Sequence, residues 1–395
     1  TIVAPMTYEN IGYTDMNFLD KVAEKFGFPL VIKECFGSFG MQVYMAHDMD
    51  DKPPKREMDM LLTIGEQMSV SLMAMVMHKL GVPAVSLNAF QVTMHTTSSH
   101  QNARLKRIDT ERIRRELDAH RIVIVTGFQG VDKYDDYTTL GRGGSDTTAV
   151  ALAAALHADA CEIYTDVDGV YTADPRKVPN ARKLKEITYD EMLDLATSGA
   201  GVLHNRSVEM AKKYGVPLVV RSSLNNSEGT VVKEVVSVER MLISGVALDT
   251  DAVRIAVLGL RDVPGVAFKV FDTIAKKNIN VDVILQSIGR AGTKDISFTV
   301  NKDDLDDAVA TLEESQERLG FKELHSERNI AKLSIVGSGM LSNPGVAAKM
   351  FESLYNEGVN INMISTSEIR ITVLINEKDG IRAMNAVHDA FGLAD

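Results

Sequence analysis

The residues best suited to chemistry lie in a glycine-rich segment at 141–149, which reads Gly-Arg-Gly-Gly-Ser-Asp-Thr-Thr-Ala. A β-rich run precedes it and predicts a strand, and an alanine-rich run at 149–156 predicts a helix. Glycines let the backbone approach a ligand closely, and Arg142 offers a planar fork for a carboxylate or phosphate. Ser145 and Asp146 can contribute to a site or simply cap the helix. Because α/β folds form ligand sites where strands lead into helices, this segment predicts a site for a small anion.

A second polar segment at 163–176 follows about 20 residues later and reads Ile-Tyr-Thr-Asp-Val-Asp-Gly-Val-Tyr-Thr-Ala-Asp-Pro-Arg. Its apolar start predicts a strand that ends at Thr165. Asp166, Asp168 and Asp174 follow this end, where they could hold Mg²⁺ through water or orient a ribose and base. The alternatives are a calcium loop or a plain turn, and the missing trailing Glu disfavours the calcium loop.

The C-terminal third contains a repeat. Pro-Gly-Val-Ala-Phe-Lys-Val-Phe at 264–271 returns as Pro-Gly-Val-Ala-Ala-Lys-Met-Phe at 344–351. The apolar spacing predicts a one-sided helix after each Pro-Gly, within a βαββα unit. The remaining predicted elements are strands at 253–258, 281–285 and 296–300 and a helix at 305–319 in the first copy, and strands at 332–336, 361–364 and 369–375 and a helix at 379–391 in the second. Free N–H groups at each helix start could hold a small carboxylate, or the repeat could serve only as a dimerisation scaffold.

Composition narrows the class of protein. At roughly 150 residues per domain, 395 residues predict two to three globular domains. The 54 acidic and 43 basic residues give a net charge of −11, which argues against a nucleic-acid binder or a protein of anionic membranes. Cys35 and Cys161 lie far apart, which disfavours disulfides and zinc and predicts a cytoplasmic protein. No continuous apolar run approaches the roughly 18 residues of a membrane span, and the methionine-rich segment 68–77 is expected to fill the core.

These segments, together with Glu66 in Thr-Ile-Gly-Glu-Gln, resemble the aspartate kinase family, and the C-terminal repeat resembles paired ACT domains. The resemblance extends from about Pro53 to the C-terminus and includes further stretches at 55–59, 82–89, 126–130, 203–209 and 219–223. It implies an α/β fold: an amino-acid-kinase three-layer sandwich with an open, mainly parallel sheet, followed by two ferredoxin-like ACT domains. The corresponding ranges are 53–240 for the kinase domain and 241–325 and 326–395 for the ACT domains.

The resemblance also implies a reaction and the residues that serve it. The reaction is transfer of phosphate from ATP, with Mg²⁺, to the side chain of L-aspartate, the first step of lysine, threonine and methionine biosynthesis. Glu66 and Arg142 would hold aspartate, and Ser145 and Asp146 would organise the site of phosphoryl transfer. The nucleotide pocket would contain Thr165, Asp166, Asp168, Gly169, Tyr171 and Arg176. The effector, lysine or threonine or both, would lie near Asp262, Gly265, Ala267, Gln286, Asn360, Ile361 and Ser365, in a homodimer or higher oligomer formed through the ACT domains.

Residues 1–52 depart from the family pattern. The Lys-Phe-Gly-Gly-Thr-Ser phosphate loop that opens aspartate kinases is absent, and the stretch 28–43 resembles a fragment of an ATP-grasp ligase, with Lys33 followed by Gly37, Ser38 and Gly40. The simpler interpretation is a strand–loop–strand hairpin without a ligand. Lys33 could instead replace the missing lysine. A second function therefore stays open, that of an amino-acid-sensing regulatory subunit with an impaired kinase site, whereas the length excludes a complete ATP-grasp fold.

Overall fold

The computed structural model describes residues 30–33, 43–46, 53–235, 242–277, 279–288 and 292–394. The chain divides into two compact units, Thr1–Leu156 and His157–Asp395. Each unit is described separately.

The first unit combines short strands with three helices in its described part. Its strands are β1 (Leu30–Lys33), β2 (Val43–Ala46), β3 (Ala84–Leu87), β4 (His95–Thr96), β5 (Leu105–Arg107), β6 (Ile122–Val125), β7 (Gln129–Val131) and β8 (Tyr137–Thr139). Its helices are α1 (Lys55–Lys79), α2 (Glu111–Asp118) and α3 (Gly144–Leu156). The pairs β3–β6 and β4–β7 are parallel, and β4–β5 and β7–β8 are antiparallel. A small core of Leu87, Val92, Met94, Ile113 and Val131 lies between them.

Helix α3 begins earlier than the alanine-rich run at 149–156 predicts. Its first turn consists of Gly144, Ser145 and Asp146. The hydroxyl groups of Thr147 and Thr148 donate to the carbonyls of the residues four positions before them, at 3.0 and 2.9 Å. The polar part of the motif is therefore the first turn of the helix itself, not a loop in front of it.

The hairpin interpretation of the N-terminal segment agrees with the two strands described there. Strands β1 and β2 pair antiparallel, with Leu30 opposite Ala46 and Lys33 opposite Val43. Lys33 is thus the last residue of β1. Gly37, Ser38 and Gly40 lie outside the described residues.

Helix α1 is, among the described residues, the one helix whose length and composition would allow it to cross a membrane. Polar residues interrupt its apolar ones, so no continuous run reveals it. Asp59 and Thr63 are buried on one side, which is the packing of a helix within a folded domain. Met68 and Met75, by contrast, are more than half exposed. The expectation that the methionine-rich segment fills the core was therefore wrong, because α1 packs through its other face.

The second unit begins with a mixed sheet and continues with the repeat. Its strands are β9 (Cys161–Thr165), β10 (Glu186–Thr188), β11 (Leu218–Ser222), β12 (Thr230–Lys233), β13 (Gly245–Asp249), β14 (Ala252–Arg261), β15 (Ile284–Ile288), β16 (Thr293–Asn301), β17 (Glu323–Glu327), β18 (Ile330–Val336), β19 (Met363–Thr366) and β20 (Arg370–Asn376). Its helices are α4 (Tyr189–Thr197), α5 (Asn205–Tyr214), α6 (Val266–Ala275), α7 (Leu305–Glu314), α8 (Gln316–Leu319), α9 (Val346–Asn356) and α10 (Gly380–Ala390).

The first sheet of this unit has the order β10-β12-β11-β9. Its β10–β12 and β11–β9 pairs are parallel, and β11–β12 is antiparallel. The α/β class is confirmed, and in the described residues the sheets combine parallel with antiparallel pairs. Strand β9 ends at Thr165, as predicted.

The repeat forms two four-stranded antiparallel sheets, ordered β15-β16-β14-β17 and β13-β18-β20-β19. The predicted order of elements is confirmed, although the strands expected at 281–285 and 361–364 lie two or three residues later. The helix expected at 305–319 breaks at Ser315 into α7 and α8. Strand β13 falls in the range expected for the first ACT domain, yet it pairs with β18 of the second sheet. Each sheet thus has a fourth strand, β17 in one and β13 in the other, which the repeated sequence does not predict.

A buried carboxylate joins helix α4 to the second repeat. Glu191 is 4% exposed, and its Oε1 accepts from Ser244 Oγ and from the Ser338 backbone N–H, both at 2.9 Å. Its Oε2 accepts from Thr188 Oγ1 at 2.8 Å, in the capping box that begins α4. Burial works against the charge of Glu191, but the hydrogen bonds from Ser338, Thr188 and Ser244 prevail and lower its pKa.

Candidate active site

The turn at 141–145, which follows β8, lies tightly against Gly127 and Phe128 in the segment between β6 and β7. A Cβ at Gly127 would lie 3.1 Å from Ser145 Oγ, and one at Gly144 would lie 2.8 Å from the Phe128 ring. The Phe128 N–H donates to Thr148 Oγ1 at 3.1 Å, and the Gly144 N–H donates to the Gly141 carbonyl. A side chain at Gly144 would therefore force the Phe128 ring to shift, and one at Gly127 would press on Ser145.

This turn presents the predicted chemical groups to the solvent side. Arg142 and Ser145 are exposed, and Asp146 is partly buried. Arg142 forms no salt bridge with any residue of the described part of the chain, so its guanidinium is available to an anion. The anion site at this turn stays a prediction, with Arg142 as the side chain that would serve it.

Glu66 lies on α1, one turn after Thr63. Gln129 at the start of β7 donates to the Thr63 carbonyl at 3.2 Å, which ties this part of α1 to the sheet. Burial raises the pKa of Glu66. Glu66 is half buried and forms no salt bridge with a residue that the structure describes, so its carboxylate is suited to receive an ammonium group.

In the second unit, the polar residues after β9 form a connected loop. Ser223 holds the Thr165 carbonyl through its backbone N–H at 2.8 Å and its hydroxyl at 3.0 Å. Thr165 Oγ1 donates to Asp166 at 3.1 Å. Asp166 forms no salt bridge among the described residues, which leaves its carboxylate open to a cation.

Asp168 is the centre of this loop. It accepts from the Tyr171 hydroxyl at 2.8 Å and from Lys183 Nζ at 3.1 Å. Burial opposes ionisation, but the bonds from Tyr171 and Lys183 hold the pKa of Asp168 below its usual value. Gly169 next to it has φ +150°, and a Cβ there would lie 2.6 Å from Thr230 Oγ1. The loop is therefore rigid, with Asp168 used as a structural acceptor.

Arg176 forms a two-bonded ion pair with Asp174, with Nε–Oδ1 at 3.0 Å and NH2–Oδ2 at 3.2 Å. Its side chain is 84% exposed. The guanidinium is thus held at the surface by Asp174, where an outer contact to phosphate is feasible.

The predicted site residues fall into two local groups. Arg142, Ser145 and Asp146 share one turn of the first unit, with Glu66 on the neighbouring helix α1. Thr165, Asp166, Asp168, Gly169 and Tyr171 share one loop of the second unit, and Arg176 follows on the next turn. Lys183 was missed by sequence reasoning. Its signal is weak, because only the basic stretch at 182–185 marks it.

The first repeat contains an open cavity of about 470 Å³ at its Pro-Gly turn. Of the predicted effector residues, Asp262, Gly265, Ala267 and Gln286 line it. Lys294, not predicted, also lines it and pairs with Asp262 at 2.8 Å. The predicted residues of the second repeat, Asn360, Ile361 and Ser365, lie on or just before β19 and do not line this cavity.

Comparison with known proteins agrees with these features. The Amino acid kinase family model matches residues 19–222, beginning inside the atypical N-terminal segment, and an ACT domain model matches 255–316 and 333–391. An aspartokinase of Bacillus sp. (strain MGA3) is 50% identical over 353 residues, covering 89% of this chain and 86% of that protein.

Solved structures give the same result. Aspartokinase III of E. coli in complex with aspartate and ADP (R-state) has a TM-score of 0.76 at 28% identity, covering 85% of this chain and 76% of that one. The same enzyme in complex with lysine and aspartate (T-state) has a TM-score of 0.68 at 28% identity, with 86% and 76% covered. With a kinase-family match over about half its length, a repeat of ACT type, and a relative at half identity over most of both chains, the protein belongs to the aspartokinase family.

Proposed function

We propose that this chain transfers the γ-phosphoryl group of ATP to the side-chain carboxylate of L-aspartate, forming 4-phospho-L-aspartate under feedback control through its ACT domains. The observation that carries the proposal is the turn at 141–145, which presents an Arg142 that forms no salt bridge among the described residues, in a chain half identical to an aspartokinase. The E. coli structure with aspartate and ADP supports the substrate pair.

The reaction needs positioning more than proton transfer. The aspartate side chain has a pKa of about 4 and is already ionised at neutral pH, so no general base is required. The obstacle is repulsion between the carboxylate and the phosphates, which cations must relieve. In this proposal Arg142 holds an aspartate carboxylate and Glu66 receives its ammonium group. Ser145 and Asp146, in the first turn of α3, organise the acceptor end.

The nucleotide is assigned to the loop of the second unit. Thr165, Asp166 and Gly169 would contact it directly, with Asp168 and Tyr171 maintaining the loop and Arg176 at its edge. When bound, Mg²⁺ would neutralise phosphate charge. The described residues contain no group of three acidic or imidazole ligands, which fits an ion held mainly by phosphates and one or two carboxylates. Asp166, free of salt bridges in the described part, would be the protein ligand.

The ACT cavity is assigned to an effector amino acid. Free N–H groups at the start of α6 suit its carboxylate, and the Asp262–Lys294 pair offers both charges. The E. coli structure with lysine supports lysine as one candidate, with threonine the other. We further propose a homodimer or higher oligomer formed through the ACT sheets. Cys35 and Cys161 lie far apart in the sequence, which fits a reducing compartment, so we propose a cytoplasmic enzyme.

Residues 1–52 lack the phosphate loop that opens aspartate kinases. This absence favours the second candidate function, that of an amino-acid-sensing regulatory subunit with an impaired kinase site. ADP release with Mg-ATP, measured with and without L-aspartate, separates the two. We expect aspartate-dependent turnover, measured with L-aspartate below its KM, to fall at least a hundredfold in Arg142→Ala, because a charge-assisted contact to the substrate carboxylate is lost. Arg107→Ala, at an exposed arginine of β5, is the matched control and should retain turnover.

Two results would contradict the kinase proposal. One is no turnover despite lysine or threonine binding, which would establish the sensor. The other is turnover that does not depend on aspartate. Lys33→Ala in the same assay tests the replacement of the phosphate-loop lysine, and unchanged ATP turnover would remove that idea.

A further inference from the structure

Asp59 is a fully buried carboxylate on α1 that none of the assigned roles uses; its exposed fraction is 0%. It accepts hydrogen bonds from the Thr139 backbone N–H at 3.0 Å and from Thr139 Oγ1 at 2.7 Å. It also accepts from the Gln101 backbone N–H at 3.0 Å and lies 3.0 Å from His100 Nδ1. Burying a carboxylate is costly unless it is well bonded, so this one must hold its partners firmly.

Both chain segments that Asp59 holds lead to the substrate turn. Thr139 is the last residue of β8, and Arg142 follows three positions later. The Gln101 carbonyl lies directly against Gly141: a Cβ at Gly141 would be 2.9 Å from that oxygen. The residue before Arg142 is therefore placed by contact with Gln101 on one side and by β8 on the other.

The backbone of Gln101 gives a second, independent sign of this function. Gln101 has φ +66°, in the left-handed region that residues with a side chain rarely adopt. The bond from its N–H to Asp59 is made in that conformation. Strained backbone persists where its surroundings enforce it, and it concentrates at functional sites.

We infer that Asp59 is a positioning residue for aspartate binding. Its carboxylate ties α1 to Thr139 and Gln101, and through Gly141 it sets the direction of the Arg142 guanidinium. The inference rests on the proposed role of Arg142. Because Arg142 holds the substrate before and during transfer, loss of its direction should act mainly on the KM for aspartate.

The decisive variant is Asp59→Asn, which keeps the shape, removes the charge, and replaces one acceptor oxygen by an NH₂ from which the backbone N–H groups of Thr139 and Gln101 cannot accept. We expect the KM for L-aspartate to rise about 10- to 100-fold, in line with the cost of misplacing a substrate-holding group by about 1 Å. kcat should change less than fivefold and the KM for ATP less than twofold. Asp118→Asn, at an exposed aspartate ending α2, should leave all three constants unchanged.

Two further variants keep the test decisive if Asp59→Asn folds poorly. Thr139→Val removes one bond to the carboxylate at nearly constant volume and should raise the KM for aspartate about 3- to 10-fold. In Asp59→Asn/Gln101→Gly, glycine adopts the left-handed conformation without strain, so part of the lost aspartate affinity should return. A merely structural role for Asp59 would give no such recovery.

Calorimetric titration of each variant with L-aspartate accompanies the kinetics. An Asp59→Asn protein with wild-type aspartate affinity would overturn the inference, as would equal losses for aspartate and ATP with no recovery in the double variant. If Asp59→Asn does not fold, an unchanged aspartate KM in Thr139→Val overturns it. A wild-type protein that neither binds nor phosphorylates aspartate would overturn the proposed function and the inference with it.

Discussion

Replacing Glu191 by glutamine should loosen the junction between helix α4 and the second ACT sheet. The carboxylate accepts through one oxygen from Ser338 and Ser244 and through the other from Thr188. Glutamine has nearly the same volume, so the change removes an acceptor without opening a cavity. The backbone N–H groups of Ser338 and Thr188 approach opposite oxygens, and the amide can serve only one side.

The expected loss of stability follows from the number of donors that the amide can no longer satisfy. A hydroxyl can rotate to accept from the new NH₂ group, but a backbone N–H cannot. One buried N–H is therefore left unpaired, at about 1–3 kcal/mol, and the bonds on the other side lose their charge assistance, at about 1 kcal/mol. The expected loss is about 2–4 kcal/mol. For a unit of this size it corresponds to a fall in Tm of about 6–12 °C.

The pH dependence separates this mechanism from a general loss of packing. The pKa of Glu191 in the folded chain lies below its ordinary value of 4.5. Its stabilisation is therefore fully present above pH 4.5 and is lost as the pH falls through the lowered pKa. The gap in Tm between wild type and Glu191→Gln should be widest near pH 7 and should narrow under acid.

Differential scanning calorimetry between pH 7 and pH 3 measures both quantities. Glu209→Gln, at an exposed glutamate of α5, is the matched control and should shift the free energy of unfolding by less than about 0.5 kcal/mol. A Glu191→Gln protein with the wild-type Tm at pH 7, or a gap that does not change with pH, would refute the reasoning.

Two other predictions concern the substrate groups. Burial raises the pKa of Glu66, so its carboxylate takes up a proton at a higher pH than an ordinary glutamate does. The KM for aspartate should therefore rise as the pH falls through the raised pKa of Glu66. In Glu66→Gln the KM for aspartate should no longer rise as the pH falls. The same rise in the variant as in the wild type would show that Glu66 is not its cause. Gly169→Ala should raise the KM for ATP and cost about 1–3 kcal/mol of stability, because its Cβ would meet Thr230 in a conformation that favours glycine. Stopped-time ADP assays and thermal melts decide this, and an unchanged KM for ATP would place Gly169 outside the nucleotide loop.

The sequence predicted those features of the fold that depend on residues close together in the chain. The strand ending at Thr165, the Gly-rich turn and the order of elements in both repeats are local features, and the structure confirms them. The groups that hold the sites in place were not predicted. Asp59 and Thr139 are 80 positions apart, and Glu191 and Ser338 are 147 positions apart. Such pairs carry no periodicity, because each partner is an ordinary polar residue until the fold brings it to the other.

The segments next to the two Pro-Gly turns have different surroundings. The Pro-Gly turn of the first repeat borders an open cavity. In the second, the segment before Pro-Gly is occupied: Ser338 binds Glu191, and a Cβ at Gly337 would lie 2.6 Å from the Ile243 backbone. The sequence placed effector contacts in both repeats, and at the first of them the structure shows a cavity whose lining includes Asp262 and Gln286. Ser338, six residues before Pro344, donates to the carboxylate of Glu191 on α4, so this hydrogen bond connects the second repeat to that helix.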